Sequence, residues 1–355
     1  MAPTITRDIK VAAETLRAGR LVAVPTETVY GLAAPIADAD AVRAVFELKE
    51  RPLFDPLIVH VAGEDDVRKL VATWPKEARV LAARFWPGPL SIVLEKAESV
   101  DPLITAGLDT VAVRCPDHTL ARDLISMVGP LAAPSANRFG QTSPTNPKHV
   151  LDEFPDADSL VILDGGECEG GIESTVVRID QSNRCIELLR PGLITPGEIA
   201  EALREAGIER DLFDLSGEFS GASNNSEEDA IPAPGMLRRH YQPRRPLVIV
   251  RADAGAEAAH LSQQAAAMIG AGDSSLIVEL DLDGSPLLAA RTLYASMREA
   301  AEREGVEAMF VRRTPEALRR SLDRDLESVG AGRQRGCGQL ANRQSSMVAS
   351  VTSSL

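Results

Sequence analysis

Apolar positions along the first 207 residues switch repeatedly between the 3.6-residue spacing of a helix and the short unbroken run of a buried strand. Ile9, Ala12, Ala13 and Leu16 share one helical face, Gly19 offers a stop, and Leu21 to Val24 follows as a strand. Ala41 to Lys49 predicts a second helix with Val42, Val45 and Phe46 on one side, and Leu57 to Val61, Leu90 to Leu94 and Thr110 to Arg114 predict strands. Leu120, Leu124 and Ile125 mark another helix, while Leu131 to Ala133, Leu160 to Leu163, Thr175 to Ile179 and Ile186 to Leu189 read as extended. Elements mixed in this way imply one α/β layered domain over residues 1–207, with its strand order left open.

Between residues 208 and 243 the periodicity breaks, and SGEFSGASNNSEEDAIPAPG has the Ser, Asn, Gly, Pro and acidic content of a linker. Alternation resumes over residues 244–329. Leu247 to Val250, Leu276 to Leu280 and Met309 to Val311 read as extended, and Ala254 to Ile269, Thr292 to Glu304 and Pro315 to Leu326 as helical. This predicts a second, smaller α/β domain. Residues 330–355 lack apolar periodicity and are expected to form a disordered tail.

Composition narrows the classes. With 44% hydrophobic and 25% charged residues the 355-residue chain can bury enough apolar surface to fold. No uninterrupted run reaches the roughly 18 apolar residues of a membrane-spanning helix. Met1 to Lys10 carries charges where a signal peptide would be apolar, so the expected location is the cytoplasm. Cys115, Cys168, Cys185 and Cys337 lie far apart without CxxC pairs, which favours buried thiols over a zinc site. A net charge of −14 disfavours extensive binding to a nucleic-acid backbone but leaves a local basic patch open.

The chemically dense stretches lie in loops after apparent strands, where open α/β sheets usually bind ligands. PTETVYG supplies Thr26, Thr28 and Tyr30 beside Glu27; a polar loop closed by Gly31 would explain it equally. In KERPLFDPLIVH, Lys49 and Arg51 suit a polyphosphate or, alternatively, a helix C-terminus. His60 ends the following strand, as a ligand or a satisfied core residue. Arg114 in TVAVRCPDH can present its fork to a carboxylate or phosphate, or enter a buried ion pair. PSANRFGQTSPT offers Ser135, Asn137, Ser143 and Thr145, which are also common turn residues. DGGECEGGIEST places four glycines between Asp164 and Ser174, and Arg190 follows in LLRPG. Neither a P-loop nor a GxGxxG fingerprint is present, and no nucleophile–base pair is visible. Cations, hydroxyls and glycine suit chemistry by positioning and charge neutralisation, as in metal-assisted nucleotidyl transfer.

Taken in order, PTETVYGL, KERPLFDPLIVHV, FWPGPLSIVL, TVAVRCPDH, PLAAPSAN, SPT, GGIESTVV and LLRPGLIT resemble the YrdC-type threonylcarbamoyl-AMP synthase family. PGMLRRHYQP, residues 234–243, is similar to the linker of its longer, two-domain form. The resemblance implies an α/β fold: a YrdC-like, mixed, twisted-sheet catalytic domain, then a linker closing over the active site, then a smaller Rossmann-like α/β domain. It implies synthesis of L-threonylcarbamoyl-AMP from L-threonine, bicarbonate or CO2, and ATP, with release of pyrophosphate. The product would feed threonylcarbamoyladenosine modification of tRNA beside the anticodon.

Carried over by motif, Thr28, His60, Arg114, Ser135 and Ser174 would surround L-threonine, with Arg114 on its carboxylate. Lys49, Arg51, Asp55, Thr110, Asn137, Thr145 and Arg190 would line the ATP side, and Tyr241 would close over it. Mg2+ would accompany ATP, with no ligand assigned. A weak contact with tRNA, a downstream threonylcarbamoyl transferase complex and no membrane complete the implied partners. Asp55 and Glu50 depart from the family's usual Asn and Gly, and the chain from about Glu316 does not resemble the usual close of the second domain. Two other readings compete: carbamoyl transfer, as in a related hydrogenase-maturation domain, and an RNA-binding module without ATP turnover.

Overall fold

The computed structural model describes residues 3–214, 243–250, 258–269, 273–280 and 286–312. The strands of the first domain are β1 (Thr4–Thr6), β2 (Val22–Val24), β3 (Gly31–Pro35), β4 (Ile58–His60), β5 (Leu90–Glu95), β6 (Thr110–Arg114), β7 (Leu131–Ala132), β8 (Val161–Leu163), β9 (Thr175–Asp180), β10 (Cys185–Arg190) and β11 (Asp211–Asp214). They form one mixed sheet in the order β1-β8-β2-β3-β7-β4-β6-β5-β9-β10-β11. Helices α1 (Ile9–Arg17), α2 (Ala39–Lys49), α3 (Glu64–Leu70), α4 (Lys76–Phe85), α5 (Pro102–Thr105), α6 (Thr119–Val128), α7 (Pro147–Glu153) and α8 (Pro196–Glu205) accompany it.

Local chemistry sets where the site loops begin. Asp38 caps α2 by accepting from the backbone of Asp40 and Ala41, and Val42, Val45 and Phe46 are buried as their spacing predicts. The helix stops at Glu50, whose φ of 54° is left-handed; this reverses the chain and brings Arg51 back towards Pro56. A glycine would adopt that turn without steric cost, which explains the family's usual residue. Parallel pairing of β4 with β6 sets His60 beside Arg114. Valines and isoleucines of β4, β5, β6 and β9 are buried, and the core lies against these central strands.

Several elements differ from the expectation. β3 is not among the expected strands, yet it pairs antiparallel with both β2 and β7. Helix α8 carries a complete capping box, Thr195 with Glu198, and a first-turn proline. The sheet runs on into β11, within the stretch expected as linker, because Asp211–Asp214 pairs parallel with β10. Tyr241, the expected helix over 315–326, Cys337 and the expected tail over 330–355 lie outside the described residues.

The second domain holds β12 (Leu247–Val250), β13 (Ile277–Glu279) and β14 (Ala308–Arg312), all parallel in the order β12-β14-β13, with α9 (Ala258–Ile269) and α10 (Pro286–Glu302). Helix α10 begins at Pro286 rather than Thr292. It packs directly on the first domain: Leu293, Tyr294 and Met297 share an apolar cluster with Val29 and Ile172. Gly171 sits at that contact with φ +69°, and a Cβ there would stand 2.1 Å from the carbonyl oxygen of Arg291. Among the described residues, no helix is long and apolar enough to cross a membrane.

Candidate active site

Loops at the strand ends line a cavity that is partly open to solvent. Thr26 and Thr28 reach it after β2, Arg51 after α2, and His60 and Arg114 from the ends of β4 and β6. Ser135 follows β7, Glu173 and Ser174 precede β9, and Arg190 ends β10. Three arginines and several hydroxyls thus converge in a chain whose net charge is −14.

The first loop is built by its own side chains. Thr26 Oγ1 donates to the Val29 carbonyl (2.6 Å), accepts from the Val29 N–H (3.2 Å) and contacts Thr28 Oγ1 (2.9 Å). Tyr30 Oη donates to the Gly166 carbonyl (2.8 Å) and accepts from Gly165 N–H (3.1 Å), tying this loop to the glycine-rich one.

Arg114 is 3% exposed, and its Nη2 lies 2.7 Å from Glu27 Oε1, while Nε donates to the Gly88 carbonyl at 3.3 Å. The second oxygen of Glu27 accepts from Asp117 N–H (3.0 Å). The arginine expected to grip a substrate carboxylate therefore already carries an internal one. His60 is buried beside it, pushed down to about 3 by burial and then by the charge of Arg114. The neutral ring leaves Nδ1 without a hydrogen-bond partner.

On the other side, Arg51 donates from Nε to the Asp55 carbonyl (3.2 Å) and from Nη2 to the Pro56 carbonyl (2.8 Å), and pairs with Asp55 Oδ1 at 2.8 Å. Asp55 is fully buried, and burial pushes its carboxyl up to about 6 despite Arg51 and Lys49. Lys49, 1% exposed, bridges the carbonyls of Ser135 and Asn137 and is pushed down to about 7, chiefly by burial and next by Arg51. Arg190 donates to the Ser174 carbonyl and hydroxyl, both at 3.0 Å, and Ser174 Oγ lies 2.8 Å from Ser91 Oγ.

All five residues of the expected threonine set border this cavity, as do Arg51 and Arg190 of the nucleotide set. Lys49 and Asp55 stand one contact away, through Ser135 and Arg51 respectively, and Asn137 two contacts away, through Lys49. Asn137 keeps a buried Oδ1 without a partner. Thr145 packs on His149 at 3.2 Å, two residues from Ser143, whose hydroxyl donates to Glu173 at 2.7 Å. Thr110 does not border the cavity. It opens β6 opposite Glu95, four residues from Arg114, which is about 13 Å along a strand. Sequence reasoning missed Glu173 and Ser91. Glu173 adjoins Ser174 inside a motif already singled out, whereas nothing around Ser91 separates it from any inward-facing strand serine.

Glu27 and Asp55 are committed to arginines, and Glu173 to Ser143, with Arg190 at 3.9 Å. That donor set fits a metal carried on phosphate oxygens better than one held by a resident ligand cluster. Among the described residues, the group with metal-ligand spacing is Asp180, Cys185 and Glu187, none of which borders the cavity. Cys115, Cys168 and Cys185 are buried free thiols, as expected.

Residues 14–192 match the Sua5/YciO/YrdC family profile, described as "Telomere recombination", and residues 194–322 match the profile "Threonylcarbamoyl-AMP synthase, C-terminal domain". Over 243 residues the chain is 45% identical to the threonylcarbamoyl-AMP synthase of Pyrococcus abyssi, covering 68% of this chain and 67% of that protein. The Bacillus subtilis protein of the same name is 42% identical over 68% of this chain and 66% of its own length. The crystal structure of P. abyssi Sua5 complexed with L-threonine superposes with a TM-score of 0.78 at 34% identity, covering 93% of this chain and 97% of that one.

Proposed function

The chain belongs to the threonylcarbamoyl-AMP synthase family, and from that premise we propose that its cavity joins L-threonine, bicarbonate or CO2, and ATP into L-threonylcarbamoyl-AMP, releasing pyrophosphate. The observation that carries this reading is the convergence of Arg51, Arg114 and Arg190 on one hydroxyl-lined cavity. Such a set grips carboxylate and phosphate oxygens without supplying a nucleophile. All three arginines are less than 9% exposed, so they serve a ligand that enters the cavity and not a nucleic-acid backbone lying across the surface.

In this reading Arg114 holds the threonine carboxylate, with Thr28, His60, Ser135 and Ser174 around the rest of the amino acid. Burial and the charge of Arg114 keep the His60 ring neutral, so it serves as a hydrogen-bonding group and a poor base. The threonine amine adds to CO2 and loses a proton, giving a carbamate. A carbamate oxygen then attacks the α-phosphorus of ATP in line, and the bond to pyrophosphate breaks. Arg51 and Arg190 neutralise phosphate charge, while Lys49 and Asn137 hold the neighbouring loop. Magnesium accompanies the nucleotide and supplies charge neutralisation at the phosphates. Close positioning supplies the rest of the rate enhancement.

The product is an activated carbamoyl adenylate. A threonylcarbamoyl transferase consumes it in modifying tRNA, so the cytoplasm is the proposed setting and tRNA itself makes at most a weak contact. Pyrophosphate release from MgATP, measured with threonine and bicarbonate present together and each omitted in turn, tests the reading. Release that needs both supports it; release indifferent to threonine sinks it.

A further inference from the structure

Helix α10 sends one polar side chain into the first domain. Arg298, 9% exposed, donates from Nη2 to the carbonyl of Thr142, from Nε to the carbonyl of Ser143 (3.4 Å), and from Nη2 to Glu153 Oε2 (3.1 Å). Glu153 is itself buried, and its other oxygen accepts from Arg138 N–H at 3.0 Å. One guanidinium of the second domain thus fixes the backbone of residues 142 and 143 and the end of α7.

That backbone carries a side chain aimed at the cavity. Ser143, fully buried, donates from Oγ to Glu173 Oε1 at 2.7 Å. Glu173 borders the cavity, and its second oxygen stands 3.9 Å from Nη2 of Arg190, the group that also holds Ser174. The polar route from Arg298 to Arg190 has two intermediates, Ser143 and Glu173. Apolar contact of Tyr294 and Met297 with Val29 and Ile172 would dock the helix without Arg298, so docking alone does not account for a buried, charged fork at this place.

We propose that Arg298 is a positioning residue for the nucleotide end of the cavity, acting through Ser143 and Glu173 on Arg190. The ligand assignment rests on the function proposed above; the positional claim does not. The guanidinium presents its donors to two carbonyls and a carboxylate in a rigid plane, whereas a lysine offers a point charge on a flexible stem.

Two variants test it. Arg298→Lys keeps the charge, and the double variant Arg298→Met/Glu153→Gln removes both charges, so that no carboxylate is left buried alone. Each is compared with wild type for ATP and threonine KM, kcat, ATP binding in the absence of threonine, and melting temperature. The double variant is expected to raise the ATP KM and weaken ATP binding about tenfold, with threonine KM within twofold; the lysine variant should fall between. Adding Ser143→Ala to the double variant should cost less than twofold more, because the route is already broken. A lower melting temperature with unchanged ATP KM and binding would overturn the proposal, as would fully additive losses. A wild type that binds ATP but releases no pyrophosphate with threonine would instead remove the synthase reading, and the ATP titration would still decide whether Arg298 acts. Absence of ATP binding by the wild type would overturn both.

Discussion

Two arginines of the cavity carry their own carboxylates at nearly the same distance, Arg114 with Glu27 at 2.7 Å and Arg51 with Asp55 at 2.8 Å. The surroundings differ. Glu27 keeps 12% of its side chain exposed and accepts a backbone N–H from Asp117, whereas Asp55 is sealed and burial outweighs three neighbouring cations. One pair sits where an incoming carboxylate can compete for the arginine. The other sets the arginine's orientation from behind and bears a desolvation cost. Equal separation therefore says little about what an ion pair does; access and backbone donors decide it.

The strongest way to break the comparison is Arg114→Ala. It removes the proposed carboxylate clamp and strands Glu27, so threonine-dependent pyrophosphate release should fall about 100-fold or more. Denaturant unfolding should show a loss of about 3 kcal/mol. An active, stable variant would take Arg114 out of the site. Glu27→Gln has a smaller effect and sharpens the contrast. If Glu27 competes with substrate for the fork, threonine KM should fall about threefold; a rise would mean that Glu27 orients Arg114 instead.

Asp55→Asn tests the other pair through pH. A folded-state carboxyl raised to about 6 contributes stability that is present below the unfolded value near 4 and lost as pH rises through 6. The variant should therefore melt above wild type by about 3 °C at pH 7.5 and by about half as much at pH 5. A gap that does not grow with pH would show that Arg51 compensates the charge fully. The smallest effect belongs to the turn that delivers Arg51. Glu50→Gly should stabilise by about 1 kcal/mol by relieving a left-handed side chain, because the exposed contact with Arg138 that it sacrifices is worth little. Its kcat should stay unchanged.

Legibility followed the same divide. β6 was readable to the residue because Thr110–Arg114 is a short apolar run with a cation at its end, and the loops after β2, β7 and β8 reach the cavity together with the ends of β4 and β6. β3 was not readable, since its partners β2 and β7 supply the reason for GLAAP to extend and neither is local. The partner of Arg114 lies 87 residues away at position 27, and no spacing along a chain announces such a pair. Thr110 starts the strand that Arg114 ends, and it does not border the cavity. Motif resemblance named the hydroxyls that line the cavity, while the pairing of Glu27 and Asp55 with the arginines emerged only from packing.

The close approach at Gly171 has an engineering consequence. With 2.1 Å between a would-be Cβ and the Arg291 carbonyl, the first domain tolerates only a hydrogen atom where the second lays down its backbone. A chimaera that joins this first domain to another relative's second domain inherits that requirement: the graft must follow the same path at position 291, or a single methyl's width will wedge the halves apart.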